Sequence, residues 1–255
     1  MLLAIDLGNT NLTIGLYDGA ELGPHWRLST DASRMPDEYG LQLSSLLEHS
    51  HIEQHQLDGV VLSSVVPPLT GRMVEACLRY LSEDPLIISP DLNLGITIGY
   101  EDPYAVGADR IADAVAVQTY YGGPACIIDF GTATTFNALT KDGVYLGGAI
   151  TAGLGLTTEA LYAHTAKLSR VELKAPEKAI GRNTTHAMQS GLVLGYASMV
   201  SGMVDRFKNE LGKGTRVIAT GGLVDLIAPH VPAIEISAPW LTLDGLRILW
   251  KNNHK

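Results

Sequence analysis

Short apolar blocks and polar turns alternate from the first residue. Residues 2–6 form an apolar run that closes on Asp6, followed by Gly8. Residues 11–17 alternate loosely and end at Asp18-Gly19, the dipeptide of a tight hairpin. Residues 26–29 read as a third strand. Tyr39, Leu41, Leu43, Leu46 and Leu47 recur at helical spacing and predict a helix over 36–49. Residues 60–63 read as a buried strand, 68–81 as a helix with proline in its first turn, and 86–89 as a further strand. The predicted order is three strands, helix, strand, helix, strand.

The second half repeats this order. Residues 125–129 form an apolar run ending in Asp129-Phe130-Gly131, residues 134–139 follow, then Asp142-Gly143, then 144–150. A helix begins near Gly153, and a long one is predicted from 184 to 211. Residues 216–219 form a strand before Thr220-Gly221-Gly222, and 241–250 a closing helix. Asp6-Leu7-Gly8 and Asp129-Phe130-Gly131 each open a hairpin with a Thr/Asn-rich turn and a later Asp-Gly, an internal repeat. The expectation is two similarly folded α/β domains, 1–116 and 117–255, bridged by a helix over 108–120. The 184–211 helix carries Met188, Met199 and Met203 besides Leu192, Val193, Tyr196, Val200, Val204 and Phe207. That is more apolar surface than one buried face needs, and a homodimer packed through this helix is expected.

Composition narrows the classes. With 46% hydrophobic and 18% charged residues the chain is globular rather than disordered. Its 18 Lys+Arg against 27 Asp+Glu leave −9, which argues against nucleic acid or an anionic membrane as partner. Cys77 and Cys126 lie far apart in apolar stretches and read as buried thiols. No basic segment precedes Asp6, and no apolar run approaches the ~18 residues of a membrane span, so a cytoplasmic protein is expected.

The two Asp-Gly loops carry the chemistry. In Asp6-Leu7-Gly8-Asn9-Thr10-Asn11 a strand delivers a carboxylate to its exposed end, and Gly8 lets the backbone approach a ligand closely. Short side chains beside free amides can cradle phosphate. Asp6 is then placed to hold a hydrated Mg²⁺, which usually keeps several waters. In Asp129-Phe130-Gly131-Thr132-Ala133-Thr134-Thr135, hydroxyls replace the Asn side chains. An ordinary hairpin turn fits either loop alone; two of them, opening two similar domains, favour a phosphate grip from both sides of a cleft. Gly221-Gly222 offers backbone against which adenine or ribose can lie, and plain packing fits that pair as well.

No G-x-x-x-x-G-K-[ST] loop, no G-x-G-x-x-G after a strand and no G-x-S-x-G occurs, which sets aside P-loop, dinucleotide-binding and nucleophile-elbow chemistry. Gly107-Ala108-Asp109-Arg110 opens the bridging helix. Asp109 suits a helix cap, or a base for a substrate hydroxyl. Arg110 suits a substrate carboxylate held through two hydrogen bonds. His49, His51, Glu53 and His55 form a cluster outside any zinc motif and read as a solvated loop.

Taken together, the Asp6–Asn11 and Asp129–Thr135 loops resemble the two phosphate motifs of the sugar kinase/heat-shock chaperone/actin superfamily. Gly107-Ala108-Asp109-Arg110, Gly181-Arg182-Asn183-Thr184 and Thr220-Gly221-Gly222-Leu223 narrow the resemblance to type III pantothenate kinases, over essentially the whole chain. The resemblance implies two ribonuclease-H-like (actin-like ATPase) domains with mixed sheets and an interdomain cleft, a homodimer, and ATP-dependent phosphorylation of pantothenate. It implies ATP contacts at Asp6, Leu7, Gly8, Asn9, Thr10, Asn11, Leu12, Thr13 and Thr132, with Mg²⁺ reached from Asp6 through water. It implies pantothenate contacts at Tyr100, Gly107, Ala108, Asp109, Arg110 and Thr184. Asp109 is then the proton acceptor, and Asp129 the ligand of a monovalent cation, K⁺ or NH₄⁺. Two alternatives stay open: an accessory nucleotide-binding protein related to transcription, and a same-superfamily kinase or phosphatase with another substrate. Residues 167–178 match no usable motif.

Overall fold

The computed structural model describes residues 1–165 and 168–254; Lys167, the first residue of the unmatched stretch, lies outside them. The chain divides into two compact units. The first comprises Met1–Gly95, Glu101–Ala116 and the closing segment from Leu241, and the second Ile96–Tyr100 and Val117–Trp240. The sequence pattern places the closing helix with the second domain. The structure packs it in the first, because its leucines bury against the first sheet.

In the first unit, β1 (Leu2–Leu7) pairs antiparallel with β2 (Asn11–Asp18), and β2 with β3 (Glu21–Ser29). On its other side β1 pairs parallel with β4 (Gly59–Ser64), and β4 with β5 (Leu86–Ile87), giving the order β3-β2-β1-β4-β5. β3 starts at Glu21, earlier than its apolar signal, and contains Pro24, tolerated because the strand lies at the sheet edge. Helices α1 (Pro36–His49) and α2 (Pro67–Tyr80) pack side by side and connect the strands. Both begin with proline, whose fixed φ suits the first turn. Their Tyr39, Leu43, Leu47, Leu69, Met73 and Cys77 join Leu3, Ile5, Leu12 and Ile14 in one core.

The second unit has the same plan. β7 (Ala125–Phe130) pairs antiparallel with β8 (Ala133–Leu139), and β8 with β9 (Val144–Ala152). β7 also pairs parallel with β10 (Arg216–Thr220), and β10 with β11 (Ile236–Ser237). Short β6 (Thr97–Ile98) adds a sixth strand beside β9. Two mixed sheets with one strand order follow from the duplicated pattern, and each is a ribonuclease-H-like sheet. The burial pattern of β1 recurs in β7: buried throughout except the half-buried aspartate at its fifth position.

Helix α3 (Ala108–Tyr120) starts in the first unit and ends in the second. The second unit adds α4 (Leu154–Ala163), α5 (Thr184–Gln189), a π turn at Ser190–Gly195, α6 (Tyr196–Leu211) and α7 (Val224–Ile227). α8 (Leu241–Asn253) closes the chain and lies on β1, β2 and β4.

The 184–211 stretch is helical as expected, but its apolar surplus is absorbed inside the unit. Met188, Leu192, Val193, Tyr196, Val200 and Val204 are buried, and Met199, Met203 and Phe207 pack against the same core. The surplus therefore gives no argument for a dimer through this helix. Cys77 and Cys126 are buried free thiols whose pKa values desolvation pushes up to about 12, the inert character expected. Among the described residues no helix is long and apolar enough to cross a membrane.

Candidate active site

Both Asp-Gly loops sit at corresponding places in their sheets. Asp6 is opposite Thr13 in β2 and Ser63 in β4; Asp129 is opposite Thr135 in β8 and Thr220 in β10. In each case the aspartate is the penultimate residue of a central strand, at the carboxyl end where open α/β sheets bind ligands.

The first loop is a tight turn in which the Gly8 N–H donates to the Asn11 carbonyl at 3.0 Å. A Cβ on Gly8 would sit 3.0 Å from that oxygen, so glycine permits the closure. Asn9, Thr10 and Asn11 are exposed. Thr30, just beyond β3, braces the turn: its hydroxyl donates to the Gly8 carbonyl at 2.7 Å and its N–H to the Thr10 carbonyl at 2.9 Å. Leu7 and Leu12 are buried in the core, so only their main chain is available to a ligand.

Asp109 stands close to this loop within the same unit. A Cβ on Gly107 would meet the Asp109 carboxylate at 2.5 Å and Val65 Cγ1 at 3.3 Å. Val65 in turn donates its N–H to the Leu7 carbonyl at 3.1 Å, one residue before Gly8. Gly107 thus makes room for a carboxylate beside the end of β1, and Val65 joins the two features. The Asp109 Oδ1 accepts from the Arg110 N–H at 2.7 Å. Burial raises the Asp109 pKa above its usual value, opposed by that N–H and by the Arg110 charge. Arg110 Nη2 donates to the Ala105 carbonyl at 3.3 Å.

In the second unit the Asp129 carboxylate lies against two glycines. A Cβ on Gly221, whose φ is +93°, would sit 2.3 Å from Asp129 Oδ1; one on Gly131 would sit 3.2 Å from Oδ2. Gly221 therefore makes room for Asp129, a job the sequence pattern does not reveal. Gly222 is exposed. The turn Gly131-Thr132 is closed from behind by Gly153, whose N–H donates to the Thr132 carbonyl at 3.1 Å.

The remaining candidates are also in this unit. Tyr100, 38% exposed, lies over Gly147 of β9, where a Cβ would meet its ring at 2.8 Å. Thr184 is the exposed first residue of α5, whose N-cap Asn183 accepts from the His186 N–H at 2.9 Å. Asp6, Asp109 and their glycines thus gather in one unit; Asp129, Thr132, Tyr100 and Thr184 belong to the other.

Among the described residues no three or more His, Cys, Asp and Glu side chains gather as a metal cage. The histidine cluster is exposed as expected but is not all loop: His49 ends α1 and His55 lies in a single 3-10 turn, its Nδ1 3.2 Å from Glu53 Oε2. The Asp6 carboxylate beside a turn of exposed Asn and Thr residues fits Mg²⁺, which keeps most of its waters. A carboxylate cradled against main chain at Gly131 and Gly221 fits an oxygen-ligated monovalent ion.

Residues 2–206 match the family model for type III pantothenate kinase. Curated relatives with that description include one from Moorella thermoacetica, 48% identical across 99% of this chain and 100% of its own length. Another, from Roseiflexus castenholzii, is 47% identical across 100% of both. Among solved structures, a Baf-family protein from Campylobacter jejuni aligns at TM-score 0.60 and 17% identity over 98% of each chain. A polyphosphate/ATP-glucomannokinase from an Arthrobacter species aligns at TM-score 0.53 and 14% identity over 97% of this chain and 96% of its own. At such identities these structures speak for the fold alone.

Proposed function

Because this chain belongs to the type III pantothenate kinase family, we propose that it transfers the γ-phosphoryl group of ATP to the terminal hydroxyl of pantothenate. The products are 4′-phosphopantothenate and ADP, the first step towards coenzyme A. The observation that carries this reading is the full-length match to relatives of that one description.

The residues suit the task. Phosphoryl transfer needs positioning and charge stabilisation more than covalent help from the protein. The turn from Asp6 to Thr13 offers amides, hydroxyls and carboxamides to phosphate, and Thr132 adds a second such turn. Asp6 would hold Mg²⁺ through water and Asp129 would hold K⁺ or NH₄⁺; bound there, these cations would supply the charge neutralisation that these loops, free of Lys and Arg, lack. Asp109 accepts the hydroxyl proton as the new O–P bond forms and the bond to the β-phosphate oxygen breaks. Arg110 binds the pantothenate carboxylate, with Tyr100, Gly107, Ala108 and Thr184 as further contacts.

The test is ADP release with pantothenate against other hydroxy acids, repeated with Na⁺ in place of K⁺. Turnover specific to pantothenate and strongly reduced in Na⁺ is expected; no pantothenate-dependent ADP release would refute the reading. The protein acts in the cytoplasm as a homodimer in this proposal. Ile150, Leu156 and Ile180, all exposed on the second unit, offer apolar surface for the contact. A light-scattering mass of a single 27.2 kDa chain, with full activity, would refute the dimer.

A further inference from the structure

Buried positions in the long helix recur at every fourth residue: Met188, Leu192, Tyr196, Val200 and Val204. In a regular α-helix such a row drifts by ~40° at each step, at 3.6 residues per turn. The π turn at Ser190–Gly195, with its wider i→i+5 spacing, takes up part of that drift. It keeps Tyr196, the residue immediately after it, on the face of Leu192 and Val193. Turns of this kind are frequent at functional sites.

The Tyr196 hydroxyl ends beneath the second Asp-Gly loop. It shares a hydrogen bond with the hydroxyl of Thr134, and both side chains are buried. Leu154, at the start of α4, packs in the same core as the Tyr196 side chain. Both neighbours lead directly to the phosphate turn. Thr134 faces Phe130 across the hairpin that the turn closes. Leu154 follows Gly153, which is so close behind the turn that a Cβ would sit 2.3 Å from the Thr132 carbonyl and 2.5 Å from that of Gly131. The Tyr196 hydroxyl therefore holds the hairpin, and its ring packs with the segment backing the turn.

We propose that Tyr196 is a positioning residue for nucleotide binding: aimed by the π turn, its hydroxyl holds the Gly131-Thr132 hairpin through Thr134, while its ring packs in one core with Leu154, the neighbour of Gly153. It touches no substrate. The inference rests on the reading that this turn holds ATP phosphate, but not on the identity of the acceptor.

The test uses the full chain as wild type, Tyr196→Phe, Thr134→Val, Thr134→Ser and the Phe/Val double variant. Mg·ATP affinity is read by calorimetry, alongside KM for each substrate and thermal stability. Tyr196→Phe keeps the ring and loses only the hydroxyl. A displaced catalytic geometry is costly, so ATP affinity should fall and KM for ATP rise by roughly tenfold, with KM for pantothenate within about twofold. Thr134→Val should match it, Thr134→Ser should restore wild-type behaviour, and the double variant should be no worse than either single one. Unchanged ATP affinity in Tyr196→Phe, beside a wild type that binds ATP, overturns this inference alone. Equal losses for both substrates with a lowered melting temperature also overturn it, since that is what a plain packing role predicts. A wild type that binds no ATP overturns the underlying reading and this inference with it.

Discussion

At the residue scale, a carboxylate that accepts a proton must first be an anion, and the surroundings of Asp109 oppose this. Burial raises its pKa above the ordinary 3.8, while the Arg110 N–H and guanidinium favour the charged form. Two consequences of opposite sense follow. The folded protein holds this proton to higher pH than the unfolded chain, so the contribution of Asp109 to stability is present below the unfolded pKa and is lost as pH rises through the folded one. With Asp109 as the proposed base, activity needs its anion, so kcat/KM should fall on the acid side at a pH above the normal aspartate range. Asp109→Asn should lower kcat by roughly 10²-fold or more, the usual scale of a general base, and remove that acid limb from the residual rate. Mg·ATP affinity should survive, because Asp109 lies outside both proposed phosphate loops. Wild-type kcat in Asp109→Asn would leave Asp109 a helix-cap residue. Asp6, Asp109 and Asp129 are legible in sequence because strand–Asp–x–Gly and a helix-opening Asp-Arg are local patterns. The roles of Thr30, Gly153, Gly221 and Tyr196 are not, since each reaches its loop from a distant part of the chain; Thr30 braces Gly8 from 22 residues away.

At the element scale, hairpins and helices follow from local chemistry. Asp18-Gly19 and Asp142-Gly143 turn where expected, with Gly19 at φ +59° and Gly143 at φ +75°, values that glycine adopts without strain. β6 leaves almost no pattern because two residues are too few for a period. The π turn is hidden too, since an apolar row spaced by four reads simply as helix. How helices meet is equally silent in one-dimensional pattern. Gly245 of α8 approaches α3 so closely that a Cβ would lie 2.0 Å from the Ala112 carbonyl oxygen. Gly→Ala inside a helix normally stabilises by about 1 kcal/mol. Here the obstacle is main chain, which cannot rotate aside, and overpacking of this kind costs about 1–3 kcal/mol. Crowding should therefore win. Gly245→Ala is expected to lower the melting temperature, measured by calorimetry; a rise would mean that the two helices separate without loss.

At the scale of the whole molecule, duplication is legible and the exchange at its end is not. The repeated Asp-Gly hairpins foretell two sheets of one strand order, because the same signals occur in the same sequence. They also suggest that each domain is one continuous stretch. An amphipathic helix shows which face it buries but not against what, so the pattern of 241–253 does not reveal that it completes the first unit. There Leu241, Leu243, Leu246 and Leu249 are all buried, α8 lies on β1, β2 and β4, and Thr242 donates to Asp113 of α3 at 2.8 Å. Burying a leucine is worth about 1.5–3 kcal/mol, so four contribute about 6–12 kcal/mol as an upper bound. That matches the entire net stability of a typical domain, about 5–15 kcal/mol. Residues 1–116 alone should therefore lack cooperative thermal unfolding and expose apolar surface to a hydrophobic dye. The same residues joined through a short flexible linker to 241–255 should fold, and unfold in one transition by circular dichroism. Asp113 and Thr242 are already in hydrogen-bond contact, so such a linker has little distance to cover. Cooperative folding of 1–116 without the helix would show that α8 covers a core already stable on its own.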